Sequence, residues 1–295
     1  MKQKKYVIFA LLAAVLYSLN SPFSKQLLND IPPKMMAAFL YLGAGIGLFV
    51  VGIIQRKTGK QLTEKRIDKN DLPYTIGMIA LDIAAPIFLM IGLTITTAAN
   101  ASLLNNFEIV ATSLIALFVF KEEISKRLWV AILFVTISSA ILSVEDFSSF
   151  SFSIGSLFVL AACVCWGFEN NCTRKLSEKN PLEIVVIKGL FSGTGSLIIA
   201  LICGERFTNL AYIACAMLLG FVAYGLSIYF YIYAQRGLGA AKTSAFYAVA
   251  PFIGTALSLI IFKQIPTTSF LVALAVMIFG AYYASTSEKG NKSNG

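Results

Sequence analysis

The chain has 295 residues, of which 57% are hydrophobic and only 13% are charged, and its formal net charge is +9. With a mean hydropathy of +0.77, it has too few polar side chains to cover the surface of a soluble globule. The composition therefore excludes a soluble domain and predicts an integral membrane protein.

Ten apolar segments are long enough to cross a bilayer as helices, which takes about 20 residues each. We call them spans one to ten, and five fall in each half of the chain. Their predicted ranges are 6–28, 33–54, 72–94, 97–120, 127–144, 154–173, 181–203, 209–234, 238–262 and 266–285. The predicted fold is all-α with ten transmembrane helices, and the function must reside among them because the connections are short.

The basic residues sort by connection rather than forming one patch. Most of them lie before span one and after the even-numbered spans. The connections on the other side hold little more than Lys25, Lys34, Arg206 and Lys263, and the longest of them, 145–153, has no basic residue. By the positive-inside rule, the chain is a multi-pass protein of the cell membrane with both termini in the cytoplasm.

This orientation, together with contact to anionic lipid headgroups, explains the net charge of +9, so nucleic acid is not expected as a partner. The expected partners are membrane lipids and a small-molecule solute, with the chain as a monomer or a homodimer. The basic start at 1–5 and the apolar run after it resemble a signal peptide. We expect this run to be retained, because it is long enough to span and has a counterpart in span six.

Two stretches of the sequence are repeated. Residues 17–27 align with 166–176 at a shift of 149, and residues 88–121 align with 230–263 at a shift of 142. Because each copy holds an odd number of spans, the copies are expected to be inverted relative to each other, as in many carriers. The predicted organisation is a first five-helix repeat at 1–144, an extracytoplasmic linker at 145–153, a second five-helix repeat at 154–285 and a cytoplasmic tail at 286–295.

Three motifs carry a family resemblance. The fourth helices of the two copies open with TAANAS at 97–102 and GAAKTS at 239–244, and the first of them ends in FVFKEEI at 118–124. The chain resembles the EamA-like members of the drug/metabolite transporter superfamily. The resemblance implies a permease of a class that moves amino acids, other metabolites, nucleotide sugars or toxic compounds, mostly outward in bacteria. It also implies Glu122 as the acid that ends the fourth helix, where the second copy has Gln264 instead.

Four charged side chains lie well inside the spans, namely Asp82, Glu108, Glu169 and Lys188. Each costs about 2.5 to 3.5 kcal/mol at the centre of a bilayer, so each needs a partner or a wet cavity. Glu169 and Lys188 lie at a similar depth, about 10 Å from the cytoplasmic side at 1.5 Å per residue. They can therefore pair, and the pair either locks two helices together or binds a ligand.

Polar residues of both copies face the predicted midplane. Glu108, beside Asn105 and Asn106, is the strongest candidate for an acid that binds substrate or carries a proton. Asp82 is either a second proton-coupling acid or a satisfied position at a helix break caused by Pro86. The predicted substrate-binding residues are Tyr17, Asn20, Asn105, Glu108, Trp166, Glu169, Asn170, Lys188 and Tyr247.

Prolines and glycines predict how the spans bend and pack. Pro22 and Pro251 indicate breaks in spans one and nine, which either expose backbone acceptors to a ligand or are plain kinks. The sequences GAGIG at 43–47 and GLFSG at 189–193 favour close helix packing, either within the chain or between chains.

Several kinds of chemistry lack the residues that they need. The sequence has no histidine, and its five cysteines have no metal-ligand spacing, so no metal is expected. We find no Gly-rich phosphate loop and no nucleophile with an adjacent base. This argues against an ATP-driven pump, an enzyme and a bound cofactor.

These observations predict a secondary transporter, an exporter of a small polar metabolite such as an amino acid or a related compound. It would work by alternating access around a midplane cavity. Uptake or exchange by a carrier of the same superfamily stays open. A membrane-embedded enzyme that acts on a lipid intermediate and a passive channel are the alternatives from other classes.

Overall fold

The computed structural model describes residues 2–57, 65–119, 121, 125–146, 151–176, 179–207, 209–238, 243 and 246–286. Two short strands, β1 Val144–Asp146 and β2 Ser151–Phe152, pair antiparallel, and helices dominate the rest. The helices are α1 Lys2–Ser18, α2 Asn20–Leu27, α3 Pro33–Lys57, α4 Leu72–Ile95, α5 Ala98–Leu104, α6 Phe107–Phe118, α7 Lys126–Ser143, α8 Ile154–Leu176, α9 Pro181–Ile187, α10 Gly193–Ile202, α11 Leu210–Gly220, α12 Ser227–Leu238, α13 Ala250–Ile261 and α14 Thr268–Thr286.

Within the described residues, eight helical segments are long and apolar enough to cross a membrane. They are Lys4–Leu27, Pro33–Lys57, Lys69–Ile95, Ala98–Phe118, Lys126–Ser143, Ile154–Leu176, Pro181–Ile202 and Leu210–Ala234. Two further apolar helices, Ala250–Ile261 and Thr268–Tyr283, are shorter. A helical membrane fold is thereby confirmed, whereas ten spans and inverted repeats stay predictions.

Spans one and four are each broken into two helices. Span one breaks at Leu19, between α1 and α2, because Pro22 has no amide hydrogen to donate to the carbonyl of Ser18. Span four breaks at Asn105 and Asn106, between α5 and α6. These breaks place polar side chains and backbone ends in the interior of the spans.

The other two prolines behave differently from each other. Pro251 lies in the first turn of α13, directly after a turn at 248–249 that separates α13 from helical residues 246–247, so span nine is broken there as predicted. The break predicted at Pro86 is wrong, since α4 runs without interruption from Leu72 to Ile95 with Pro86 buried inside it. Helices α3 and α8 pack against α4, and such packing lets a membrane helix continue through one missing hydrogen bond.

Helix α3 is packed backbone to backbone on two sides. A Cβ atom added at Gly189 would lie 2.4 Å from the backbone nitrogen of Gly45, so span seven touches one side. A Cβ atom added at Gly43 would lie 2.0 Å from the carbonyl oxygen of Met217, so α11 touches the other. The two glycine spacings therefore serve packing within the chain.

Spans seven and eight each contain a wide turn that the sequence did not predict. Residues Lys188–Ser192 and Phe221–Leu226 form π-helices, and both pack against α3. The Ser192 hydroxyl donates to the carbonyl of Ile79 in α4 at 3.2 Å, which holds the first of these turns in place. Wide turns of this kind are frequent at functional sites.

Ion pairs hold the two ends of span seven. Beyond its C-terminal end, Glu205 Oε1 lies 3.1 Å from Lys34 Nζ at the start of α3. Before its N-terminal end, Lys179 Nζ lies 2.9 Å from Asp68 Oδ2 and 2.7 Å from Asp71 Oδ2. The C-terminal end of span seven is thus held to span two, and its N-terminal end is held to the start of span three.

Candidate functional site

Three charged residues from three spans meet inside the helices. Lys188 Nζ lies 3.0 Å from Asp82 Oδ2 and 3.0 Å from Glu169 Oε1. Asp82 comes from α4, Glu169 from α8 and Lys188 from the π-helix of span seven. All three are buried, with exposed fractions of 0%, 2% and 7% in that order. We call this group the ionic triad.

Each carboxylate of the ionic triad has a second partner. The Tyr41 hydroxyl of α3 donates to Asp82 Oδ1 at 2.8 Å, and the Thr173 hydroxyl donates to Glu169 Oε1. Buried charges are tolerated when they are both paired and hydrogen-bonded. The ionic triad therefore forms a closed set that joins α3, α4, α8 and span seven.

Glu108 lies apart from these ion pairs. It is in the first turn of α6, just after the break in span four, and accepts a hydrogen bond from the Asn170 amide at 2.5 Å. The same amide donates to the Thr112 hydroxyl at 3.3 Å. Glu108 and Asn170 are only half-buried although both lie deep in their spans. This carboxylate therefore borders an opening between the helices.

Tyr17 of span one and Tyr247 of span nine are also partly exposed, and Tyr224 of span eight is buried against Tyr17. The ring of Tyr17 lies 6.1 Å from that of Tyr224 and 5.8 Å from that of Tyr247, measured between ring centroids. Spans one, four and nine meet at this level, because a Cβ atom added at Gly254 would lie 3.1 Å from Ser102 Oγ and 3.1 Å from the Ser18 carbonyl oxygen. The Asn20 amide donates to the Tyr224 hydroxyl at 3.0 Å. We call the partly exposed residues Glu108, Asn170, Tyr17 and Tyr247 the open site.

Comparison with known proteins identifies the family. The EamA-like transporter family matches residues 4–144 and again residues 153–286, which together make up most of the chain. The chain belongs to the EamA-like transporter family. The resemblance seen in the sequence is thereby confirmed, and the chain is a membrane transporter of the drug/metabolite transporter superfamily.

Curated relatives of this EamA-like transporter are similarly named. It is 26% identical to an uncharacterized transporter of Methanothermobacter thermautotrophicus, over 85% of this chain and 78% of the relative. It is 23% identical to the uncharacterized transporter YyaM of Bacillus subtilis, over 86% and 85%. A solved crystal structure with 18% identity has the same fold, with a TM-score of 0.70 over 98% of this chain and 99% of that one.

The predicted site residues of this family member fall into separate groups. Glu169 and Lys188 form the pair expected from their depth, and Asp82 joins them. Tyr17, Glu108, Asn170 and Tyr247 line the open site, which Asn20 reaches through its bond to Tyr224. Asn105 lies at the break in span four, with Oδ1 at 4.0 Å from Cys163 Sγ, and Trp166 is buried against Tyr41.

Sequence reasoning missed several partners. The sequence alone predicts no role in the site for Tyr224, Tyr41 or Thr173. Tyr41 lies two residues before the glycine-rich segment 43–47 of span two, and this position is the signal that could have indicated its role. A hydroxyl on a helix face that packs backbone to backbone needs a polar partner. Thr173 is four residues after Glu169, the spacing at which helical side chains meet.

Two further expectations from the sequence concern metal binding and the acidic end of the fourth helix. Among the described residues, no group of three or more Cys, Asp or Glu side chains could hold a metal ion. Glu122, the acid implied by the family resemblance, lies outside the described residues.

Proposed function

We propose that this transporter is a secondary carrier that exports a small polar metabolite, such as an amino acid or a related compound. The observation that carries the proposal is the open site, where a half-buried carboxylate, Glu108, lies deep within the spans among polar and aromatic side chains. Charged groups in membrane helices mark solute or ion pathways. The proposal involves transport without catalysis and without a resident cofactor.

We further propose ten spans in two inverted five-helix repeats, at 1–144 and 154–285, separated by the linker 145–153. The family match supports this, because it covers the chain in two stretches of similar length. The packing supports it as well. Span one packs on span eight as span six packs on span three, and spans two, four and five each contact their counterparts, spans seven, nine and ten. Two copies related by a two-fold axis would make contacts in such pairs.

Both termini, and the tail 286–295, are proposed to be cytoplasmic, with the chain in the cell membrane. The ion pairs at the two ends of span seven support this orientation. Lys34 and Glu205 lie in connections that the positive-inside rule assigns to the outside, and Lys179 and Asp68 lie in connections that it assigns to the cytoplasm. Each pair therefore joins residues assigned to the same side.

In this mechanism the open site contacts the solute, and the ionic triad positions the helices around it. Alternating access requires the two repeats to move relative to each other around a central site. The ionic triad contains Asp82 from the first repeat, with Glu169 and Lys188 from the second. A rocking motion would therefore act directly on the contact between Asp82 and Lys188. Glu108 and Asp82 are the proposed proton-coupling acids, since no ATP site supplies energy.

Counterflow in liposomes tests the proposal. Purified protein is reconstituted, the vesicles are loaded with unlabelled amino acids and related metabolites, and entry of the labelled compound is followed. A carrier gives saturable, transient accumulation, which Glu108→Gln reduces. Flux that neither saturates nor shows counterflow would identify a passive channel instead. Export is supported if a proton gradient directed into the vesicles drives solute the opposite way.

A further inference from the structure

The charges in the centre of the protein are unevenly distributed. Among the described residues, the core carboxylates are Asp82, Glu108 and Glu169, and Lys188 is the one cation that contacts any of them. Both contacts of Lys188 are to carboxylates, at 3.0 Å each. Its ammonium is also closed off from solvent, because only 7% of Lys188 is exposed. In this structure the ammonium of Lys188 is therefore occupied by carboxylates of the protein.

Glu108 has the opposite surroundings. The ion pairs among the described residues do not include it, and its hydrogen bond comes from a neutral amide, that of Asn170. Glu108 is also half-buried, so it faces the opening that Asp82 and Glu169 do not reach. The accessible charge at the open site is therefore negative.

Tyrosine rings at the open site also favour a positively charged ligand. Ring faces of tyrosine carry partial negative charge and attract cations within about 6 Å of the ring centroid. Tyr17 lies 5.8 Å from Tyr247 between ring centroids, and their spans converge with span four, which carries Glu108. A carboxylate and two partly exposed tyrosine rings attract a positive group and repel a negative one.

We infer that Glu108 and the rings of Tyr17 and Tyr247 bind the positively charged amine group of the solute. The inference rests on the proposed carrier function and narrows its substrate class to protonated or quaternary amines. An amino acid would enter with its ammonium group toward Glu108. A solute whose charge is purely negative would be rejected.

Three probes of equal size test this inference without knowledge of the natural solute. They are tert-butylammonium, tert-butanol and pivalate, which carry a positive charge, no charge and a negative charge on the same hydrocarbon group. Thermal unfolding of the full-length protein in detergent is followed as each is titrated at constant sodium chloride. A ligand that binds the folded state raises the melting temperature. We expect tert-butylammonium to do so and the other two not to.

Substitutions test whether the rise in melting temperature caused by tert-butylammonium depends on Glu108 and Tyr17. Glu108→Gln keeps an acceptor for Asn170 and removes the charge, so it should weaken the response to tert-butylammonium by about tenfold or more. Tyr17→Phe keeps the ring and should respond like the wild type, whereas Tyr17→Leu should lose most of the response. Glu205→Gln is the matched control, because it removes an acid from the outer ion pair and should leave the response unchanged.

The outcomes separate this inference from the carrier proposal. Equal responses to the three probes, no response to any of them, or an undiminished response in Glu108→Gln would overturn the amine site. Stabilisation by sodium ions alone to the same extent would also overturn it. Counterflow that persists in those cases would leave the carrier intact. Charge-selective binding without any counterflow would keep the amine site and remove the carrier.

Discussion

The ionic triad and the open site contain the same kinds of residue in opposite environments. Glu169 and Glu108 are both glutamates deep within apolar spans, yet one is 2% exposed and bonded to Lys188, and the other is half-buried and bonded to an amide. Depth in the membrane alone does not separate them. The partner of each carboxylate and its access to the opening decide which one joins helices and which one can meet a solute.

The two regions should therefore respond differently to substitution. Changes in the ionic triad remove a partner from a buried charge and should lower stability. Changes in the open site leave buried charges paired and should lower transport. Three substitutions test this difference, and a fourth at the ion pair before span seven serves as a reference; they are given from the largest expected effect to the smallest.

Lys188→Met should have the largest effect. It leaves the carboxylates of Asp82 and Glu169 buried without a counter-ion, a change that typically costs about 3 to 5 kcal/mol. We expect a large drop in the melting temperature of the protein in detergent. Asp82→Asn is the matched variant, because one ammonium then still faces one carboxylate, and it should cost less. A smaller loss for Lys188→Met than for Asp82→Asn would contradict the account of the ionic triad.

Tyr41→Phe should come next. It removes the hydroxyl that donates to Asp82 Oδ1 at 2.8 Å, and hydrogen bonds to charged groups contribute about 1.5 to 3 kcal/mol. Tyr224→Phe removes a hydroxyl whose partner is the neutral Asn20, and it should cost only about 0.5 to 1.5 kcal/mol. Unfolding in denaturant compares the two. Equal losses would mean that Asp82 is not held as a charge.

Glu108→Gln should change transport rather than stability. We expect counterflow to fall by about tenfold or more, because the charge that attracts the solute is lost while the contact to Asn170 is kept. The melting temperature without ligand should stay close to that of the wild type. Unchanged counterflow, or a loss of stability as large as that of Lys188→Met, would place Glu108 with the ionic triad.

The exposed pair between Asp68 and Lys179 should have the smallest effect. A hydrogen bond from Lys179 holds the pKa of Asp68 below its ordinary value, and hydrogen bonds to Asp71 and Asp68 raise the pKa of Lys179. The contribution of Asp68 is present above the ordinary aspartate pKa of about 3.9. It is lost as the pH falls through the lowered pKa of the folded state. The contribution of Lys179 is present below about 10.4 and is lost as the pH rises through the raised value.

A melting-temperature profile against pH tests this last prediction. The difference between the wild type and Asp68→Asn should be small and constant across neutral pH, and it should vanish in acid. Added salt should also reduce it, because the pair is exposed to solvent. A difference that grows in acid would contradict the assignment.

Much of the fold could be predicted from the sequence. Apolar length located eight of the ten predicted spans, and Pro22 marked the break in span one. Depth along the helices also predicted that Glu169 and Lys188 could meet. These features depend on distance along one helix or on the composition of one segment, and both are visible in a single chain.

The contacts that could not be predicted from the sequence depend on which helix faces pack together. Asp82 joins Lys188 because α4 packs beside span seven, and no residue near Asp82 in the chain indicates that neighbour. The continuity of α4 through Pro86 likewise depends on packing by α3 and α8. The contact between Tyr41 and Asp82 joins two spans of the same copy, so comparison of the copies could not find it.

The π-helix at Lys188–Ser192 gives span seven a tolerance to chain length that a regular helix lacks. Its hydrogen bonds join residues five apart instead of four, so this stretch accommodates about one residue more than an α-helix of equal rise. Deleting one residue there would relax the stretch to an ordinary helix while the two halves of the span stay in phase. The same deletion in the uninterrupted α4 would rotate one half of that helix by about 100° against the other. A single-residue deletion would thus be absorbed in span seven and would change the phase of α4.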